Sequence, residues 1–590
     1  MIIQTEQQYD ALFENLKKED ILALDTETEG FGETSAKFFE VELYGLGVYS
    51  KNIKAYIPAR FLKKNFQKLL DSKICVFHNA KFDLTILEKE GFNVSHIKFY
   101  DTMIMAWLVN ENRHSYGLKS LAESILKVKK TTKWVDVGDQ PDESNLTLFS
   151  VSLSDDIQKW EETMGKYCID DCKYTYKLFH IFKPQLEEQE LWNVFENLEM
   201  PITQVLRKME KRGIKLDIEY LKELGKKLEE KLISLRAQIY KEAGREFDIN
   251  SPKQLSELLF KDKKYKLPPD YKTGTGVNST NIVALKYLAT HYNCPIVSSL
   301  LEYREIFKLN GTYVKGLLSR QKDGIIYTSF IQHGTVTGRL SSSNPNCQNL
   351  PARSDEFDIR KAFVAREGYT FIISDLSQIE LRLAAYFSKD PTLVKAYQEG
   401  KDIHQETADA LQCSRHIAKT VNFGLLYGRS AYGMAKGMGM TPEEAEKFIN
   451  KYFSKFKSLK IFIQQVENTL DKQYAIRTLL KRKRRFPEYA KAKKEHDWKA
   501  QNRIKRQTTN SLVQGSAADV IKVQMRNLDK ALEKYDAHLQ IQIHDEVIIE
   551  CPIEKAEEVA KVVKYEMENA IDLKIVPITT TPVISNRWVK

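Results

Sequence analysis

Short apolar segments alternate with helical ones over the first third of the chain. The segments ILALDTE (21–27), VELYGLGVY (41–49) and KICVFHN (73–79) each predict a strand, because a short run rich in apolar and β-branched residues ends at polar residues. Strands that alternate with helices along the sequence indicate an α/β domain.

Beyond about residue 190 the apolar residues recur with the period of a helix. They return every three or four residues up to Gly244, which predicts one long amphipathic helix; its buried stripe consists of Leu221, Leu224, Leu228, Leu232, Leu235 and Ile239. Strands are predicted again from 325 to 390, and helices over most of 395–510. The segment HLQIQIHDEVIIECP (538–552) alternates apolar and polar residues about a polar centre, which predicts a β-hairpin.

Length and composition indicate a globular protein of several units. A chain of 590 residues is too long for one hydrophobic core, so we expect at least three packed units. No apolar run is long enough to span a bilayer, and we expect no membrane partner. The opening residues MIIQTEQQYD lack the pattern of a secretory signal, so we expect the cytoplasm, or an organelle matrix if a transit peptide has been removed.

The seven cysteines are scattered and odd in number, which predicts reduced thiols. Cys168 and Cys172 are the closest pair, and a lone C-x3-C is not sufficient for a zinc site.

The net charge of +10 is unevenly distributed. Residues 1–190 hold 24 Lys and Arg against 31 Asp and Glu, whereas residues 401–507 hold 24 against 11. The second stretch includes the run KRKRR (481–485), for which we expect contacts with phosphates. Such asymmetry indicates a polyanionic partner, although a solvated basic surface would explain the composition equally well.

Three pairs of polar residues in the N-terminal region each have a spacing that can place both members on one face. Two acids that are two apart on a strand point to the same face, and polar residues four apart share a face wherever the chain is helical. Carboxylates that converge in this way need a divalent cation with a preference for oxygen, such as Mg²⁺ or Mn²⁺. The pairs are Asp25 with Glu27, Asn79 with Asp83, and Tyr167 with Asp171.

A second set of acids lies far apart in the sequence. Asp375 follows the apolar strand TFIIS, and Asp545 and Glu546 lie at the tip of the predicted hairpin. Acids at the ends of buried strands are costly unless they are paired or bind metal, so we expect tertiary folding to bring these together around two ions.

A helical stripe lies between the two parts of this second set. Arg415, Lys419, Phe423 and Tyr427 follow at four-residue steps in RHIAKTVNFGLLYG. Two cations and two aromatic rings on one stripe suit phosphates at one end and a base at the other. A basic amphipathic helix packed on its aromatic residues is the plainer alternative.

The N-terminal pairs resemble the three motifs of the DEDD-type 3′→5′ exonucleases. The matching segments are D25-T-E27, N79-xx-F-D83 and Y167-xxx-D171. The resemblance implies metal binding by Asp25, Glu27, Asp83 and Asp171, with Tyr167 orienting the attacking water. Asp170 is adjacent, and the sequence leaves a contribution from it open.

The C-terminal part resembles the family A DNA polymerases, the class of bacterial DNA polymerase I. DLSQIELR, RHIAKTVNFGLLYG and QIHDE are similar to motifs A, B and C of that family, and TGRLSSSNPNCQNLP (337–351) and NSLVQGSAADVIK (510–522) are similar to two further stretches. The similarity runs from Asp25 to the end of the chain. The arrangement of the chain resembles the Klenow portion of polymerase I, and we expect no 5′-nuclease domain.

The resemblance implies a role for each matching residue. Asp375 and Asp545 would bind the catalytic metals, with Glu546 as a supporting acid and Glu380 as a steric gate against a ribose 2′-hydroxyl. The nucleotide would be bound by Arg415, Lys419, Phe423, Tyr427, Gln378 and His404. Primer-template DNA would be contacted by Arg339, Gln348, Asn510, Gln514 and His544.

Two positions depart from the family pattern. Leu376 replaces the usual Tyr of motif A, where we expect a packing role. In T478-LL-KRKRR, Lys481 stands where the family often has Gly, so the local backbone there is expected to differ.

The expected fold is therefore α/β and multidomain, with a ribonuclease H-like exonuclease domain followed by a right-hand polymerase domain. We expect the exonuclease over 1–190, the thumb over about 200–325, the palm over 326–395 and 508–590, and the fingers over 396–507. The implied reaction is addition of dNTPs to a primer 3′-end by a monomer. It would use two Mg²⁺ per active site, for which Mn²⁺ could substitute.

Three other interpretations remain open at this point. They are a nuclease with a degenerate polymerase half, a non-catalytic nucleic-acid-binding factor, and a family A RNA polymerase. The intact Asp375, Asp545, Lys419 and Arg415 argue against the first, and Glu380 and the exonuclease motifs favour DNA over RNA. The sequence does not distinguish a replicase from a repair enzyme, nor does it indicate whether a processivity factor is needed.

Overall fold

A computed structural model describes residues 1–29, 41–128, 150–269, 272, 276–292, 294–351, 357–438 and 440–589. The chain forms two compact units, each built from separate stretches of sequence. The larger unit contains Met1–Gly213, Tyr327–Gln348 and Gly368–Ile584, and the smaller contains Ile214–Ile326, Asn349–Glu367 and Ser585–Lys590.

A five-stranded sheet forms the core of the N-terminal region. Its strands are β1 (Ile21–Thr28), β2 (Leu43–Tyr49), β3 (Lys54–Pro58), β4 (Ile74–Phe77) and β5 (Phe99–Asp101), in the order β3-β2-β1-β4-β5. β1 is central: it pairs antiparallel with β2 and parallel with β4. The three predicted strands are confirmed, whereas the short β3 and β5 were not predicted.

Helices cover this sheet, and the longest packs against the strands that carry the first acid pair. The helices are Glu6–Leu16, Gln67–Ser72, Ala80–Lys89, Thr102–Val109, Leu118–Leu121 and Ser150–Glu188. The helix Ser150–Glu188 lies along β1, β2 and β3. It can therefore bring residues from beyond position 160 to the centre of the sheet.

A second sheet in the larger unit is built around the C-terminal hairpin. The short strands β6 (Ile214–Lys215) and β7 (Ile325–Ile326) belong to the smaller unit. The larger unit then contains β8 (Ser329–Ile331), β9 (Ser341–Ser343) and β10 (Tyr369–Asp375). The short pair β11 (Ala475–Arg477) and β12 (Lys483–Arg485) precedes β13 (His538–Ile543), β14 (Glu546–Pro552) and β15 (Val583–Ser585). The sheet order is β13-β14-β10-β15, and the predicted hairpin is confirmed as β13 and β14.

Most of the remaining larger unit is helical, as predicted for 395–510, apart from β11 and β12. Its helices are Trp192–Val194, Met200–Arg212, Ile379–Ser388, Pro391–Gln398, Ile403–Leu411, Arg415–Leu426, Ala431–Met438, Pro442–Lys455, Lys457–Gln473, Pro487–Lys494, Trp498–Leu532 and Ala556–Asn569. One of them, Trp498–Leu532, runs without a break through 507 and 508, where the sequence analysis divides fingers from palm. Within the described ranges, no helix is both long and apolar enough to cross a bilayer.

The smaller unit is organised by the long helix predicted from its leucine stripe. The helix spans Ile218–Ala243, begins at Asp217, whose side chain accepts from the Tyr220 N–H at 3.0 Å, and ends at Gly244 with φ 75°. Glycine suits that left-handed position because it has no Cβ. All six predicted stripe residues are buried, which confirms the prediction. The other helices of the unit are Pro252–Phe260, Ile282–His291, Pro295–Lys308 and Gly316–Arg320.

A buried ion network lies inside the larger unit. The Glu199 carboxylate accepts from Lys522 Nζ at 2.8 and 3.0 Å and also from Arg482, whose Nε donates to Asp519 at 2.9 Å. All four side chains are at most 4% exposed. The Trp107 ring lies 5.2 Å from both cationic groups. The two cations lower the pKa of Glu199 to about 2, although burial alone would raise it.

This network corrects the expectation for the basic run at 481–485. Arg482 is buried among acids, and Arg484, which is 9% exposed, pairs with Glu111 at 3.3 Å. The expectation of phosphate contacts is therefore wrong for these two residues, because their charges are matched inside the fold. Lys481 is exposed with φ 73°, so it adopts the left-handed conformation that glycine favours.

Replacement of Glu199 by Gln is expected to lower the free energy of unfolding by about 3–5 kcal/mol, because it leaves two buried cations with a single counter-charge. The stabilisation by Glu199 should be present above about pH 4.5 and lost as pH falls towards 2, since its folded-state pKa is depressed. Urea unfolding of wild type and variant at several pH values measures both effects.

The matched control is Glu14→Gln, which breaks the exposed pair of Glu14 with Lys17. That change should cost less than about 1 kcal/mol. Equal losses in the two variants would contradict a special role for the buried network.

Candidate active sites

Four carboxylates from three elements converge at the first acid centre. Asp25 and Glu27 lie on the central strand β1, where Glu27 is 5% exposed and Asp25 is half-buried. Asp83 comes from the helix Ala80–Lys89 and accepts from the backbone N–H and the hydroxyl of Thr26, each at 2.8 Å. Asp171 comes from the helix Ser150–Glu188 and is also buried. The structure thus brings together the four predicted metal-binding acids.

The electrostatics of this centre favour a cation. Burial, followed by the neighbouring Glu27 and Asp83, raises the pKa of Asp25 well above its usual range. Burial also raises the pKa of Asp83 to about 7, against the effect of its hydrogen bonds with Thr26. Carboxylates that repel one another in this way are stabilised as anions by a divalent ion, so the donor set fits the metal that the sequence implies.

Asn79 occupies a different position from the one that the sequence suggested. The helix begins at Ala80, and Asn79 precedes it with a left-handed φ of 73°. Its N–H donates to the Asp101 carboxylate at 3.1 Å, as does that of Ala80 at 2.8 Å. Asn79 and Asp83 therefore do not share a helix face. The buried Asp101, which the sequence analysis did not single out, fixes this turn.

The helix Ser150–Glu188 presents Tyr167 and Asp171 to the centre on successive turns. Tyr167 is half-buried. Burial is the main reason that the pKa of its hydroxyl is raised, and the negative charges of Asp171 and Glu27 raise it further. Asp170 has a side chain that is 32% exposed and lies 3.8 Å from Lys173. Asp171 is among the groups that raise the pKa of Asp25.

The second acid centre is formed by strand pairing across 170 residues of sequence. Asp375 ends β10 and is paired in register with Glu546, the first residue of β14. Asp545 lies in the turn just before, and its carbonyl accepts from the Leu376 N–H at 3.0 Å. The sheet therefore brings Asp375, Asp545 and Glu546 to one edge, as the sequence analysis expected.

Arg339 and Glu380 border this second centre. Burial raises the pKa of Asp545 to about 6. The Arg339 guanidinium, 3.8 Å away, acts in the opposite direction and lowers this pKa, but its effect is smaller than that of burial. Glu380 is 4% exposed and accepts hydrogen bonds from Arg339 and from the Tyr427 hydroxyl. This carboxylate is thus held in place beside the acids.

The predicted stripe lies on the helix Arg415–Leu426. Arg415 and Lys419 are exposed; Arg415 donates to Asp402 at 2.7 Å, and Lys419 has no ion-pair partner among the described residues. The Phe423 ring is 5.6 Å from that of His404 and 5.7 Å from that of Tyr427. Tyr427 lies one residue beyond the helix, so cations and rings still follow one face in the predicted order.

The other predicted nucleotide contacts lie near this helix. His404 is 3% exposed and is bonded to Asn422 Nδ2 at 3.0 Å, a partner that the sequence analysis missed. Gln378 precedes the helix Ile379–Ser388 with φ 54° and accepts from the Tyr397 hydroxyl at 3.1 Å. Both side chains are held by neighbours within the fold.

The predicted DNA contacts differ in their exposure. Gln348 is 7% exposed and donates to the backbone and side-chain oxygens of Gln542 at 2.9 Å. Asn510 and Gln514 are half-buried on the helix Trp498–Leu532, one turn apart. His544 is exposed in the hairpin turn with φ 53°.

An α/β domain with an acid centre on its middle strand, followed by a sheet whose hairpin carries a second acid centre, defines the exonuclease–polymerase class. The family models agree with this division: residues 1–187 match a 3′-5′ exonuclease and residues 218–590 match DNA polymerase family A. The chain belongs to DNA polymerase family A, and the predicted fold class is confirmed.

Individual relatives give the same result. A DNA polymerase I of Borreliella burgdorferi is 37% identical over 97% of this chain, and one of Lactococcus lactis subsp. cremoris is 34% identical over 91%. The chain spans 63% and 61% of the lengths of these relatives. The polymerase domain of Pol1 from M. smegmatis, solved in complex with DNA primer-template and dNTP, matches with a TM-score of 0.86 and 26% identity, covering 100% of this chain and 99% of that one.

Proposed function

We propose that this chain copies a DNA template by adding dNTPs to a primer 3′-end, and that it removes 3′-terminal nucleotides at a separate site. The observation that carries the proposal is that Asp375 and Asp545 lie together where β10 ends and β14 begins. The helix that carries Arg415 and Lys419 ends just before Tyr427, which contacts Glu380 beside these acids. The M. smegmatis relative was solved with both proposed substrates, primer-template and dNTP.

For the polymerase centre we propose two Mg²⁺ ions held by Asp375 and Asp545, with Glu546 in support. Bound divalent ions supply charge neutralisation and activation of the attacking 3′-hydroxyl. Lys419 and Arg415 would bind the triphosphate, because they are exposed cations on one helix face. Phe423 and Tyr427 would pack against the sugar and the base, as aromatic rings on the same face can.

For the exonuclease centre we propose metal binding by Asp25, Glu27, Asp83 and Asp171. Tyr167, one turn before Asp171, would orient the water that attacks the terminal phosphodiester. Arg339, Gln348, Asn510, Gln514 and His544 would position the primer-template at the other site. The chain would act as a monomer in the cytoplasm or nucleoid, or in an organelle matrix if a transit peptide has been removed.

Replacement of Asp25 and Glu27 together by Ala should abolish shortening of a labelled 3′-end and leave extension within a few-fold. The reason is that these residues lie on β1, whereas Asp375 and Asp545 lie on a different sheet. Gel analysis of one labelled primer, with and without dNTPs, measures both activities.

The matched control is Asp375→Ala, which should abolish extension and leave shortening of the 3′-end intact. Loss of both activities in either variant would argue against two independent centres. Extension with rNTPs in place of dNTPs would instead indicate an RNA polymerase.

Sugar selection provides a second test. Glu380→Ala should raise incorporation of ribonucleotides, because the buried carboxylate leaves no room for a 2′-hydroxyl, and an unpaired buried hydroxyl costs about 1–3 kcal/mol. Phe423→Tyr should instead raise incorporation of dideoxynucleotides, because the new hydroxyl can replace the missing 3′-hydroxyl. Single-nucleotide insertion kinetics with dNTP, rNTP and ddNTP compare the variants.

Glu380→Gln is the control for size, since it keeps the length of the side chain and can still accept from Tyr427. It should retain the exclusion of ribonucleotides. Equal losses across all three substrates in every variant would show that Glu380 and Phe423 are packing residues only.

A further inference from the structure

A sulfur atom lies among the carboxylates of the exonuclease centre. Cys168 follows Tyr167, and its Sγ is 3.4 Å from the backbone oxygen of Asp25 and 3.7 Å from Oδ2 of that residue. One ligand atom from each of Asp25, Glu27 and Cys168 lies within 4.8 Å of the others. All seven cysteines of the chain are free thiols, as predicted, so this sulfur is not part of a disulfide.

Strand register explains how the thiol reaches this position. Asp25 is paired on β2 with Gly47. A Cβ on Gly47 would lie 2.5 Å from Cys168 Sγ and 2.7 Å from Cys172 Sγ, so no larger residue fits there unless these neighbours move. The absence of a side chain beside Asp25 is what admits the two cysteines from the helix Ser150–Glu188.

The two cysteines differ in their relation to the acids. Both are fully buried and lie one helical turn apart. Cys168 contacts Asp25 directly and belongs to the three-atom set with Glu27, whereas Cys172 does not belong to that set. Cys168 is therefore the candidate donor, and Cys172, which is also near Asp25, is a matched thiol one turn further along the same helix.

The donor chemistry distinguishes between classes of metal ion. Mg²⁺ takes oxygen ligands, whereas Zn²⁺ and Cd²⁺ accept thiolate together with carboxylate. In a tetrahedral site, bonds of about 2.3 Å from zinc to sulfur and about 2.0–2.2 Å to oxygen place the donor atoms about 3.3–3.7 Å apart. The 3.7 Å between Cys168 Sγ and Asp25 Oδ2 already matches that separation. Donor atoms at the outer limit of 4.8 Å need to approach one another by about 1 Å.

We infer that Asp25, Glu27 and Cys168 form a mixed oxygen–sulfur site for a thiophilic divalent cation of the zinc class. As the sulfur–metal bond forms, the thiol proton leaves to solvent. Because the site shares Asp25 and Glu27 with the proposed magnesium site, an ion bound there competes with Mg²⁺ at the exonuclease and not at Asp375 and Asp545. The inference concerns the proposed exonuclease centre, but metal binding can be observed without any hydrolysis.

The test uses the full chain, freed of metal and then titrated with Cd²⁺ in the presence of excess Mg²⁺. A cadmium–thiolate bond produces charge-transfer absorption in the ultraviolet, and we expect one equivalent of Cd²⁺ to produce it. Cys168→Ser should abolish this band, and Cys172→Ser should retain it. Glu27→Gln should weaken Cd²⁺ binding at least ten-fold, which tests the site without altering a thiol.

Primer extension by each variant serves as the control for folding, since none of these residues belongs to the polymerase centre. A band that persists in Cys168→Ser would overturn the inference, and so would loss of the band in both serine variants or an unchanged affinity in Glu27→Gln. If the band behaves as expected but the chain shows no exonuclease activity, the proposed function fails while the metal site stands.

Discussion

The larger unit depends on the buried carboxylate of Glu199 and the two cations that neutralise it. Glu199 lies between the N-terminal domain and the helix Met200–Arg212, Arg482 lies between β11 and β12, and Lys522 lies on the helix Trp498–Leu532. Removing such charges from water is unfavourable unless each is paired with good geometry. The network therefore holds only when these elements, distant in sequence, are correctly assembled. Trp107, from the helix after β5, completes it by packing against both cations.

The same constraint on buried charge accounts for both acid centres. Each centre includes carboxylates on a strand or in the turn beside one, and at each centre burial raises a carboxyl pKa, that of Asp83 to about 7 and that of Asp545 to about 6. The centres differ in their cationic neighbours. Arg339 lies near Asp545, whereas Asp25 lies among acids and the thiols of Cys168 and Cys172. The first centre therefore depends more strongly on a bound cation for its charge balance.

Features with a local periodic signal were predictable from the sequence. The strand carrying Asp25 and Glu27, the hairpin carrying Asp545, and the long helix ending at Gly244 follow from patterns that a few adjacent residues determine. No local pattern reveals the grouping of Asp375 with Asp545; it was predicted from the cost of burying acids at strand ends, and the family resemblance supported it. The structure brings these acids together through the pairing of β10 with β14.

Features that depend on a distant partner could not be predicted in this way. The charges of Arg482 and Arg484 suggested a nucleic-acid surface, but Glu199 and Glu111, hundreds of residues earlier, draw both side chains inside. Asn79 was expected on a helix face, and Asp101 instead fixes it in the turn before the helix. The contact between Cys168 and Asp25 requires a register that pairs Asp25 with Gly47, which only the folded sheet defines.

The central claim is that one chain contains two acid centres that act on the same 3′-end in opposite directions. The most direct measurement follows a primer with a single mismatched 3′-terminal nucleotide, annealed to a template and given Mg²⁺ and all four dNTPs. The account predicts that the mismatch is removed and the primer is then extended to full length with the complementary nucleotide in its place. A full-length product that retains the mismatch, or a primer that only shortens, would contradict it.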